Sequence, residues 1–160
     1  MNEMIEETET ADTDEKRTHL LKNILVIGAY LKRRSNLVVL SDKDALLEAR
    51  ELELSIGESM NNLETCGIAC AFLSELTEPV LSVHLIVVYD FFEEITERSL
   101  DCMSSIMVLA GKKQHTLFCM IDTDSHADFS DLASDTVSAA QDEDGEWKLS
   151  LRLDMGGDGK

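Results

Sequence analysis

The segment Glu146–Leu153 restricts the fold most. Trp147, Leu149, Leu151 and Leu153 are apolar, and Lys148, Ser150 and Arg152 between them are polar. A repeat of two places alternate side chains on opposite faces, so this segment predicts a half-buried strand with one face in water. A strand of that kind needs a sheet to pair with and a layer on its dry face only.

The covering layer is written in helical spacings upstream. Leu20, Ile24, Ile27 and Leu31 recur at intervals of four, three and four, which predicts a helix from about residue 15 to 40 with a coiled-coil-like stripe. Ser41 or Asp42 is placed to cap a second helix, expected to run to about Thr65 and to bury Leu46, Ala49, Ile56, Met60 and Leu63, with Gly67 at its end. A third helix, about residues 81–100, follows Pro79, the chain's one proline, and buries Leu81, Leu85, Val88, Phe92 and Ile95.

Strands are expected at Ile68–Leu73, Ser105–Ala110, His115–Ile121 and Val137–Gln141, the middle two forming a hairpin over the four-residue loop Gly111–Gln114. Residues 123–135 read as a polar loop with one helical turn. The order α, α, β, α, β, β, loop, β, β holds too few βαβ units for a doubly wound sheet, so the expected fold is α+β, a two-layer sandwich preceded by a helical hairpin. The expected organisation is a disordered acidic tail (1–14), a helical hairpin (15–66), an α/β domain (67–154) and a flexible tail (155–160).

Charge narrows the function classes. Thirty-two acids against 14 bases give a formal charge of −18. Such a chain repels nucleic acid and anionic lipid surfaces. No apolar stretch is long enough to span a bilayer and the N-terminus does not read as a signal peptide, so the expected location is the cytoplasm, with the chain open to being one piece of a longer protein. Cys66 and Cys70 are spaced like some zinc ligands, but no second close Cys/His pair accompanies them, so buried reduced thiols are expected and no metal.

The element order, together with Leu21–Leu40, Tyr89–Leu100, Met120–Asp122 and Gly145–Asp154, resembles the C-terminal part of bacterial sensor histidine kinases. There a dimerisation helix leads into an ATP-binding domain of the gyrase–Hsp90–kinase–MutL superfamily. The resemblance spans about residues 20–154 and its motifs carry over unevenly. Glu94 stands at the catalytic Glu of the N-box helix. The magnesium-binding Asn position falls on Arg98, which offers only donors and carries positive charge.

Asp122 stands at the adenine-binding Asp of the first glycine box, whose two glycines fall on Asp124 and His126. No glycine lies between His126 and Asp135, so the second glycine box is absent, and Asp124, Asp128 and Asp131 would repel a triphosphate. His19 is either a phosphoacceptor or a solvent-exposed helical histidine.

Each remaining cluster has two readings. Glu93, Glu94, Glu97 and Arg98 form a catalytic remnant or a solvated face with an i,i+4 pair between Glu94 and Arg98. Lys32, Arg33 and Arg34 form a docking site for an acidic partner or tail, or a charged face pairing with Glu51 or Glu58. His84, in an apolar helix, reads as a satisfied core histidine.

Two functions follow. The favoured one is a degenerate histidine-kinase-like signalling and dimerisation module without ATP hydrolysis and without cofactor. It would homodimerise through the N-terminal helices and engage a protein partner in signalling. The alternative is the functional ATP- and magnesium-binding part of a two-component sensor kinase, in which Glu94 and Asp122 line one pocket on the helix side of the sheet.

Overall fold

A computed structural model describes residues 2–43 and 45–155, with side chains from Thr13 onward except that of Lys43. The elements in order are α1 (Asn2–Lys43), β1 (Leu46–Leu47), α2 (Ala49–Thr65), β2 (Ala69–Ser74), β3 (Val80–Leu81), α3 (Ser82–Ser99), β4 (Ser105–Lys113), β5 (Thr116–Thr123), a 3-10 turn (Ser130–Leu132), β6 (Val137–Gln141) and β7 (Trp147–Asp154).

The main sheet has the order β2-β4-β5-β7-β6, with β2 parallel to β4 and every other pairing antiparallel. The alternation expected of the last strand is met. Trp147, Leu149 and Leu151 are buried, Lys148 and Arg152 are exposed, and Ser150 is half-buried. Ile106, Val108 and Ala110 of β4 and Leu117, Cys119 and Ile121 of β5 complete the dry face, against which the helices pack. The opposite face is uncovered, with Leu73 60%, Met107 54% and Met120 44% exposed.

Three boundaries differ from expectation. Helix α1 extends through residues 2–14, where a disordered tail was expected, because that acidic segment is rich in glutamate, a good helix former. Helix α2 starts at Ala49 rather than after Asp42, since Leu46 and Leu47 are drawn into a short ladder with Leu81 and Val80. In consequence Leu46 and Leu81, expected in buried helical faces, are 55% and 38% exposed. The β4–β5 loop is two residues, Gln114 and His115, with Gln114 at φ 59, because Lys112 and Lys113 remain paired with Leu117 and Thr116. The expected flexible tail lies outside the described residues apart from Met155, whose amide donates to the His115 carbonyl at 2.8 Å.

The long helix is fastened to α3 along one side. Val26 and Leu37 of the same helix are buried. The Tyr30 hydroxyl donates to Asp90 at 2.8 Å, and Arg34 Nε donates to the same carboxylate at 3.0 Å. Behind them Tyr89 stacks on Phe92 and shares a hydrogen bond of 2.9 Å with Ser59 of α2. Lys32 and Arg33 both pair with Glu58, one of the two partners expected for this basic run. Farther along, His19 Nδ1 lies 2.8 Å from Asp101.

Candidate functional site

The C-terminal end of α3, the start of β4, the end of β5 and the loop of residues 124–136 meet at one end of the sheet. Apolar packing sets the loop's path. Phe129 is fully buried, edge-on to Trp147 with ring centroids 5.3 Å apart. Asp124 ties the loop's beginning to β4, accepting from the Ser104 and Ser105 amides at 2.9 and 3.0 Å and from the Ser104 hydroxyl. Partial burial raises the Asp124 pKa, but those three donors outweigh it and hold the carboxyl below its ordinary range.

Arg98 closes the loop from above. Its two terminal nitrogens donate to the two carboxylate oxygens of Asp131 at 2.6 and 2.9 Å, its Nε donates to Glu94 at 3.2 Å, and it also reaches the Asp128 carbonyl at 3.4 Å. This fork-to-fork geometry suits a guanidinium and a carboxylate. The bond to Asp131 raises the Arg98 pKa further and lowers that of Asp131. Asp128 is likewise held low by the Ser130 hydroxyl.

The expectation that Glu94 and Asp122 share a pocket on the helix side is not met. On β5 the dry-face residues are Leu117, Cys119, Ile121 and Thr123, so Asp122 points to the open face of the sheet. There it lies 3.5 Å from Lys148 and lines a hollow of 280 Å³ with Ala69, Met107 and Glu146. The helix-facing position at this strand end belongs to Thr123, whose hydroxyl donates to the Ser105 carbonyl at 2.8 Å. A period-two element reverses the facing of every side chain when its register is misjudged by one. Glu94 sits on α3 with its side chain 48% exposed, paired with Arg98 as the i,i+4 spacing implied.

The acid that the solvated-face reading missed is Glu93. It is 2% exposed, and its Oε2 has no hydrogen-bond partner among the described residues. Burial first, then the nearby Glu97 and Asp90, pushes its pKa up to about 8. The signal was present, since Tyr89, Glu93 and Thr96 follow at helical spacing and all three are buried. His84 is half-buried and its Nδ1 has no partner among the described residues, so the satisfied core histidine is not what the structure holds.

The four cysteines are free, and burial pushes the Cys70 thiol to about 11 and Cys119 to about 12. Among the described residues no group of three or more His, Cys, Asp and Glu is placed to hold a metal, and no helix is long and apolar enough to cross a membrane.

No family model matches the sequence, and no curated protein matches it. The fold, by contrast, matches solved histidine kinases. The blue-light activated histidine kinase of Erythrobacter litoralis superposes with a TM-score of 0.55 at 10% identity, over 78% of this chain and 54% of that one. The Acinetobacter baumannii histidine kinase AdeS gives 0.52 at 8% identity, over 94% of this chain and 84% of that one. Histidine kinase ThkA, solved in complex with the response regulator TrrA, gives 0.51 at 11% identity, over 88% and 53%. The chain therefore has the α+β fold of histidine-kinase catalytic domains.

Proposed function

We propose that this domain keeps a histidine-kinase fold as a dimerisation and signalling module and does not hydrolyse ATP. The observation that carries the proposal is the Arg98 clamp. The fold's kinases need a magnesium ligand at the position that the resemblance assigns to Arg98, and here a cation stands there, held by Glu94 and Asp131. The loop that would cradle phosphates has no glycine from Ala127 to Thr136 and is anchored in the core by Phe129. Asp122 faces away from the helices, and Glu94 is engaged by Arg98.

Dimerisation is supported by α1. Leu20, Ile24, Ile27 and Leu31 are 58%, 58%, 41% and 56% exposed, a continuous apolar stripe on a helix whose other side is already docked. A response regulator is the natural class of signalling partner, as TrrA is for ThkA. Sedimentation tests the module directly. The chain should sediment as a dimer and Ile24→Glu as a monomer with unchanged circular dichroism. A monomeric wild-type chain at high micromolar concentration would sink the dimer.

A further inference from the structure

We propose that the free edge of β2 receives an extended segment of a partner protein, one whose side chains alternate between apolar and basic. The site lies on the sheet, not on α1, so the inference goes beyond the dimer reading and stands without it. β2 is the outermost strand on its side of the main sheet and pairs with β4 in unbroken register from Ala69 to Ser74. The Ala69 amide donates to the Ser104 carbonyl at 2.9 Å and the Glu75 amide to the Ala110 carbonyl at 2.8 Å. Successive residues of a strand turn opposite ways, so the amides of Cys70, Phe72 and Ser74 point away from the sheet. None of the three has an acceptor among the described residues.

An edge of this kind is a template for strand addition unless something blocks it. β2 carries none of the usual blocks. Its segment Ala69–Ser74 holds no charge and no proline, and its register has no bulge. The opposite edge of the sheet differs, because β6 is met by its own loop. There the Ser134 amide donates to the Val137 carbonyl at 2.9 Å, and the Ser134 hydroxyl oxygen accepts from the Val137 amide at 3.2 Å.

The surroundings of the edge select the segment's chemistry. On the open face Ala69, Ala71 and Leu73 are exposed, with Met107 of β4 beside Ala71. Every second side chain of an added strand lies on that face, and apolar ones cover it. The alternate side chains turn toward α2. Ser59 of that helix meets Tyr89 of α3, and Glu58 meets Lys32 and Arg33 of α1. Glu53 and Glu64 therefore fall on the flank turned from both helices, over the free edge. They are 11 residues apart on one helical stripe, about 16 Å along the axis, close to the length of β2. Both are exposed, and neither has an ion-pair partner among the described residues. Glu64 is near enough to the edge that its charge, after burial, helps to raise the Cys70 thiol to about 11. Bases on the incoming segment complement these two acids.

Two synthetic peptides of one composition test the site. One alternates valine with lysine, and the other has its valines and lysines in separate blocks. At about ten times its dissociation constant, the alternating peptide should slow amide exchange at Cys70, Phe72 and Ser74 about tenfold, and the block peptide should not. Cys70→Pro removes no bond of the native sheet and should abolish the protection at Phe72 and Ser74. Glu53→Gln and Glu64→Gln, which leave the strand intact, should each weaken the alternating peptide up to about fivefold. Equal binding of the two peptides without protection of these amides would overturn the site, because a chain of −18 attracts any cation. Protection and affinity unchanged by all three substitutions would overturn it as well. Slow exchange at the three amides without peptide, relieved by dilution, would put a second copy on the edge and overturn the partner segment.

Discussion

Two charged side chains on adjacent turns of α3 meet different fates, and each makes its own prediction. Glu93 is buried without a partner for one oxygen, so its folded-state pKa is raised to about 8 from an ordinary 4.5. A raised carboxyl binds its proton more tightly in the folded state. The group therefore costs nothing below pH 4.5, costs more as the pH rises to about 8, and costs a constant amount above that. Glu93→Gln should raise stability at pH 8 and flatten the stability curve between pH 5 and 8, removing a slope of at most about 1.4 kcal/mol per pH unit. Urea denaturation at several pH values measures it, and parallel curves for variant and wild type would show that Glu93 is solvated after all. Arg98, by contrast, is a clamp at the surface. Arg98→Ala should leave the melting temperature nearly unchanged yet speed hydrogen exchange in residues 128–133, because the loop loses its outer tie and keeps Phe129.

At the scale of elements, most of the order was legible, because periodicity survives burial. The alternation of Trp147 to Leu153 and the helical spacing of Leu85, Val88, Phe92 and Ile95 both matched what they predicted. Short elements escaped. Leu46–Leu47 and Val80–Leu81 are too brief to show a period, and their pairing depends on residues more than 30 positions apart. The site was less legible than the fold. Facing on β5 turns on a single residue of register, which placed Thr123 rather than Asp122 toward the helices. The ion pair of Arg98 with Asp131 joins residues 33 positions apart, which no local pattern reports. The 124–136 loop holds its place chiefly by one aromatic anchor. Phe129→Ala removes a fully buried ring from Trp147 and should destabilise the domain by about 3–5 kcal/mol in chemical denaturation. A loss under 1 kcal/mol would mean that the loop is held by its polar ties alone.

At the scale of the molecule, charge and apolar exposure are segregated. A chain of −18 keeps an acid-free stretch on α1, and the exposed leucines and isoleucines described on that helix lie in it. Repulsion between copies confines association to such a surface, so the dimer should survive substitutions on the open sheet face, such as Met107→Ser, and fail with Leu31→Glu. The rest of the fold has the architecture of histidine-kinase catalytic domains, and the proposal is that Arg98, Asp131 and Phe129 close the end where those domains would take nucleotide. Titration calorimetry with magnesium and ATP tests that central claim most directly. The account predicts no binding heat at millimolar nucleotide. Micromolar binding that Asp122→Asn abolishes would contradict it and restore an ATP site built without the glycine boxes.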